Sequence, residues 1–127
     1  MRAGAGLVPD DELYTQGRAL ALASYYEEAL PILEAVQRTD DAMVFTMLGY
    51  TTRRLGHWDE GMAIYQKALS IDPNNVNTHE YIGEGYVSVG RFDLARVELG
   101  KVAASCGGTT CVQYEALEQA IETGNTQ

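Results

Sequence analysis

Apolar residues recur along most of this chain three and four positions apart, the period of helices with one buried face. The pattern is densest from Ala42 to Asn75. Phe45, Leu48 and Thr52 fall on one side of a first helix, and Gly61, Tyr65 and Ala68 on one side of a second. Gly56 ends the first as a C-terminal cap. Asp72-Pro73-Asn74-Asn75 closes the pair in strong turn chemistry, and Asn75 is placed to cap whatever helix follows. Upstream, Pro9 with Asp10, Asp11 and Glu12 predicts a helix start, with proline early and acids in the first turn. That helix runs to about Ala23 and carries Leu13 and Leu20 on its apolar face. Ser24 breaks the pattern, and a second helix opens at Tyr25 or Tyr26 with Ala29, Leu30, Leu33 and Val36. Pro31 lies inside it and predicts a local kink, because proline removes one helical hydrogen bond. Residues 1–9 are expected to be flexible.

The helix pairs repeat. Gly17, Gly49 and Gly83 stand 32 and then 34 residues apart, and four further rows keep these intervals. They are Tyr26, Trp58 and Phe92; Ala29, Gly61 and Ala95; Leu33, Tyr65 and Leu99; and Val36, Ala68 and Val102. Five rows in one register divide the chain into units at about 10–41, 42–75 and 76–109, the first two residues short in its closing loop. Thr110 with Gln113 reads as a capping box. It predicts a last helix over about 111–123, with Tyr114, Leu117 and Ile121 facing the third unit, whose exposed apolar edge needs a cover. Residues 124–127 form a polar tail.

A 34-residue helix-turn-helix unit with glycine, small residues and aromatics at these places resembles the tetratricopeptide repeat (TPR). The resemblance covers about 10–109. It departs from the family pattern at Thr52, Gly61 and His79, where tyrosine, alanine and a large aromatic are usual, and at Gln16, where leucine is usual. The ending CGGTTCVQYEALEQAI is similar to small bacterial repeat proteins with a paired-cysteine loop and a capping helix. The resemblance implies an all-α domain, a right-handed superhelix of three helix-turn-helix repeats plus a C-terminal capping helix. It also implies a concave groove, lined by the first helix of each pair, that holds a peptide or helix of a partner protein.

Helical spacing places Tyr14 and Arg18 on that stripe in the first unit, with Ala21 and Leu22. The second unit contributes Met43, Thr46, Tyr50 and Arg53; the third contributes Asn77, Glu80 and Glu84, with Val87. Tyrosine and arginine are frequent binding hot spots, and a planar guanidinium grips a carboxylate well. The competing reading is a structural ion pair of Arg53 with Glu80 or Glu84, which at a solvated site stabilises by about 0–1 kcal/mol. The lysine and asparagine clamp with which some family members hold a partner's C-terminal carboxylates is not matched. Tyr14, Arg18, Tyr50, Asn77 and Tyr81 stand in its place.

Composition narrows the partners. A net charge of −9 lacks the basic footprint of nucleic-acid or anionic-membrane binding. Met1 to Pro9 are too short for a secretory signal and lack an apolar core, and no apolar run reaches a membrane span. Cys106 and Cys111 bracket a short loop. Bridged, and with a signal peptide trimmed from the chain, they imply an oxidising compartment such as the bacterial periplasm; otherwise the expectation is the cytoplasm. His79 with the two cysteines fits no zinc spacing, and no metal or cofactor is expected. The expectation is therefore a non-enzymatic interaction module, an adaptor, scaffold or chaperone. The alternatives are a self-assembling structural subunit, as a homodimer or larger complex, and a bacterial secretion-system chaperone, to which the size and acidity are similar.

Overall fold

A computed structural model of the chain describes residues 8–126, so most of the expected flexible start lies outside the described residues. They form seven helices and no strand: α1 (Asp10–Leu22), α2 (Tyr26–Glu34), α3 (Ala42–Arg54), α4 (Trp58–Ile71), α5 (Val76–Ser88), α6 (Phe92–Cys106) and α7 (Val112–Thr123). The helices pair α1 with α2, α3 with α4 and α5 with α6, and α7 packs on α5 and α6. None among the described residues is long and apolar enough to cross a membrane.

The pairs share one turn. At Ser24, Gly56 and Gly90 the backbone swings to positive φ, at 71°, 99° and 78°. Each time the next residue's N–H reaches back to a carbonyl of the last helical turn: Tyr25 to Leu20, His57 to Thr52 and Arg91 to Tyr86. This double reach-back satisfies carbonyls that a helix end leaves bare, and glycine enters it without steric cost. Ser24 shows that the motif, not the glycine, is what the fold requires.

The repeat rows become the interior. Ala29, Leu33, Tyr65, Ala68, Ala95 and Val102 are fully buried. A Cβ on Gly49 would lie 2.7 Å from the Tyr65 ring and 3.0 Å from the Gly61 carbonyl, so α3 and α4 cross almost backbone to backbone. The third unit differs. Its Gly83 faces Leu117 of α7, at 2.5 Å from an added Cβ, and Leu99 is only partly buried. Trp58 ties neighbouring units by donating from its indole Nε1 to the Gly85 carbonyl at 2.8 Å. His79 is buried, with Nδ1 2.8 Å from Glu98 and Nε2 2.7 Å from the Pro73 carbonyl, so polar atoms fill the place where an aromatic is usual.

Asp41 and Asn75 cap α3 and α5 through their side chains. The capping box expected at Thr110 does not form. Cys111 is the N-cap of α7, without a side-chain cap bond, and Gln113 donates instead to Asn77 on α5 at 3.0 Å. Cys106 and Cys111 are joined as a disulfide, with Cα atoms 6.4 Å apart. Closing so short a loop stabilises by about 2 kcal/mol on the chain-entropy argument. Covalent bond, Gln113 bridge and buried Leu117 together fix α7 beside the third unit.

Candidate protein-binding groove

A cavity of 520 Å³ opens on the side of the first helices. Its wall takes Leu22 from α1, Tyr50 from α3, and Glu80, Tyr81 and Glu84 from α5. The far wall is α7, through Ala116, Gln119, Ala120 and Thr123. Ala116, Gln119 and Thr123 are exposed on this wall, and the buried Ala120 joins it to the core around Leu117.

Three tyrosines run across the units. The Tyr26 and Tyr50 rings meet edge-on at 6.0 Å, and Tyr50 and Tyr81 lie 5.1 Å apart at a tilt of 31°. The Arg54 guanidinium covers both Tyr26, at 5.3 Å, and Tyr50, at 5.8 Å. Such cation–aromatic contacts stabilise by about 0.5–1 kcal/mol at an exposed site and hold the rings in place. Burial, with the hydrogen bond to Tyr26, pushes the Tyr50 hydroxyl up to about 12. Burial also raises Tyr81, so both present protonated phenols at neutral pH.

Glu80 and Glu84 stand one helical turn apart and share a hydrogen bond. Burial and the neighbouring carboxyl push Glu80 up to about 9. Burial also raises Glu84, against the pull of the Glu80 hydrogen bond and of Arg53. A carboxyl whose proton is held more tightly in the fold stabilises it at acid pH. For Glu80 that contribution fades as pH rises from about 4.5 to about 9.

The predicted stripe is thus only partly a surface. Tyr50, Glu80 and Glu84 meet in the cavity, and Tyr14, Arg18, Met43 and Asn77 lie outside its wall. Asn77 is engaged with Gln113 and, at 3.9 Å, with the Met43 sulfur. Thr46 is fully buried, its hydroxyl 2.8 Å from that of Thr78 and bonded to the Ala42 carbonyl. Arg53 is 6 % exposed. Its Nε donates weakly to the Tyr65 hydroxyl at 3.5 Å, and an added Cβ on Gly61 or Gly85 would meet it at 2.7 or 3.2 Å. Gly61 thus lets α4 approach the α3 backbone at Arg53, and Gly85 leaves room for the arginine side chain inside the stack. No ion pair within 4.0 Å joins Arg53 to Glu80 or Glu84 among the described residues.

Solved structures resemble this arrangement closely in shape and weakly in sequence. The Arabidopsis OM64 TPR domain superposes with a TM-score of 0.74 at 14 % identity, over 91 % of this chain and 96 % of that one. The fold is that of the TPR. The Yersinia enterocolitica type III secretion chaperone SycD, in complex with a peptide of the translocator YopD, matches at a TM-score of 0.71 and 16 % identity, over 90 % of this chain and 87 % of SycD. PcrH, a Pseudomonas aeruginosa protein here in complex with the chaperone binding region of PopD, matches at 0.70 and 21 %, over 96 % of this chain and 90 % of that one. No family model and no curated protein sequence matches the chain. At these identities the likeness establishes the TPR fold alone.

The α7 wall escaped the stripe because the stripe was drawn on first helices alone, and Tyr81 escaped it because it falls between the Asn77, Glu80 and Glu84 positions on α5. The spacing of Ala116, Gln119, Ala120 and Thr123 beside Leu117 is the signal that marks the second face of α7.

Proposed function

We propose that this TPR domain is a non-enzymatic binding module that holds a segment of a partner protein in the groove between its first helices and α7, as an adaptor, scaffold or chaperone. The cavity carries this reading. It is open, of a size for several side chains, and gathers residues from all three repeats around Tyr50 and Tyr81. Half-buried tyrosines offer a rigid apolar face and a polar tip at little entropic cost, which suits recognition of a peptide. SycD and PcrH, of the same fold, were each crystallised with a segment of another protein, which supports a peptide as the occupant. The net charge of −9 argues against a nucleic acid.

A displayed random-peptide library selected on the wild type tests the proposal. Selected peptides bind a Tyr50→Ala/Tyr81→Ala double variant about tenfold more weakly or worse, at the scale of hot-spot truncation. Circular dichroism confirms that the variant remains folded. Equal affinity for both proteins puts the binding surface elsewhere and contradicts the proposal.

A further inference from the structure

The floor of the cavity holds two carboxyls that no cation of the fold pairs with directly among the described residues. Like charges four residues apart on a helix repel, and desolvation makes each of them costlier. Glu84 is 9 % exposed and faces the cavity beside Glu80. Their hydrogen bond is to one another, and among the described residues no cationic nitrogen lies within 4.0 Å of either. The two arginines of α3 are turned to other tasks. Arg53 is buried against Tyr65 and the glycines with its guanidinium also 5.8 Å from the Tyr50 ring, Arg54 covers Tyr26 and Tyr50, and both draw on Glu84 only from beyond ion-pair distance. The α7 wall brings no charge, and α1 brings Leu22. Next to the carboxyls stand the paired rings of Tyr50 and Tyr81.

A buried and a half-buried carboxyl beside two aromatic rings form an environment suited to an ammonium or guanidinium group. The carboxylates provide charge-assisted hydrogen bonds, the rings attract the cation through their π faces, and a long aliphatic stem packs along them. We infer that the cavity takes a lysine or arginine side chain of the bound segment, its cationic head on Glu80 and Glu84 and its stem along Tyr50 and Tyr81. This rests on the proposed groove function and adds the chemistry of the occupant.

The inference carries a proton balance. Burial and the neighbouring carboxyl raise Glu80, so the hydrogen-bonded pair favours sharing a proton. An entering cation takes the place of that proton, so one positive charge enters as about one proton leaves to buffer.

The test uses a peptide selected on the wild-type protein, its lysine or arginine replaced by norleucine, and a Glu80→Gln/Glu84→Gln double variant. In the wild type, norleucine weakens binding about tenfold or more. In the glutamine variant the same replacement changes affinity by less than about threefold, because the charged partner is gone. Calorimetry at pH 7 in buffers of different ionisation enthalpy gives release of about one proton for the basic peptide and none for the norleucine peptide. The inference is overturned if the selected peptides carry no common basic residue, or if norleucine costs the same in both proteins. It is also overturned if calcium or magnesium alone perturbs the cavity tyrosines while basic peptides do not. If those peptides also bind the Tyr50→Ala/Tyr81→Ala variant at full strength, the groove function itself fails; if they lose affinity there, only the basic specificity does.

Discussion

Tyr65→Ala lowers the stability of the domain by about 3–5 kcal/mol, the range for truncating a buried aromatic. Tyr65 is fully buried, and its ring fills the crossing of α3 and α4 against Gly49. Its hydroxyl also faces Arg53, whose Nη2 has no hydrogen-bond partner among the described residues. Truncation therefore leaves a cavity at the closest helix crossing and deprives a buried guanidinium of a neighbour. Domains of this size are stable by only about 5–15 kcal/mol, so the loss is a large fraction of the whole. Tyr65→Phe separates the two effects, because it keeps the ring and removes the hydroxyl, at about 0.5–1.5 kcal/mol. Urea denaturation measures both variants. An alanine variant within 1 kcal/mol of the wild type contradicts the packing assigned to the repeat row.

Leu117→Ala costs about 2–5 kcal/mol. Leu117 is fully buried, and its methyl groups occupy the space that Gly83 leaves open on α5. In the first two units the equivalent glycines meet Leu33 and Tyr65 of their own second helices. In the third unit the last helix enters that space, so α7 is part of the core and not only a lid. The disulfide holds the start of α7 whatever happens at Leu117, but one short loop does not replace a buried side chain. Thermal unfolding reports the change as a fall of about 4 °C per kcal/mol for a domain of this size. A midpoint that hardly moves contradicts the placement of α7 against α5.

Much of this was legible in the sequence, and the limits have physical causes. The repeat rows are read from spacing alone, because each packing place recurs in one chain position per unit. Gly56 and Gly90 mark turns that need positive φ, and Asn75 marks a cap that its side chain makes. Arg53 was not legible as a buried residue. Helical phase puts it on the open side of α3, but Gly61 lets α4 close on the α3 backbone there and Gly85 from α5 leaves room for its side chain. Thr46 was misplaced for a related reason. It finds Thr78 across two units, a pairing that a single helix cannot reveal. At Thr110 a short-range signature lost to longer-range bonds, the disulfide and the Gln113–Asn77 bridge. Helix existence is a local property, whereas burial of a polar residue depends on three elements at once.

The measurement that tests the account most directly is photo-crosslinking of a selected peptide to proteins carrying a benzophenone side chain at one position. Gln119 is exposed on the α7 wall of the cavity, and Val97 is exposed on α6, outside the cavity wall. The account predicts an adduct when position 119 carries the probe and none when position 97 does. An adduct from position 97 alone would contradict it.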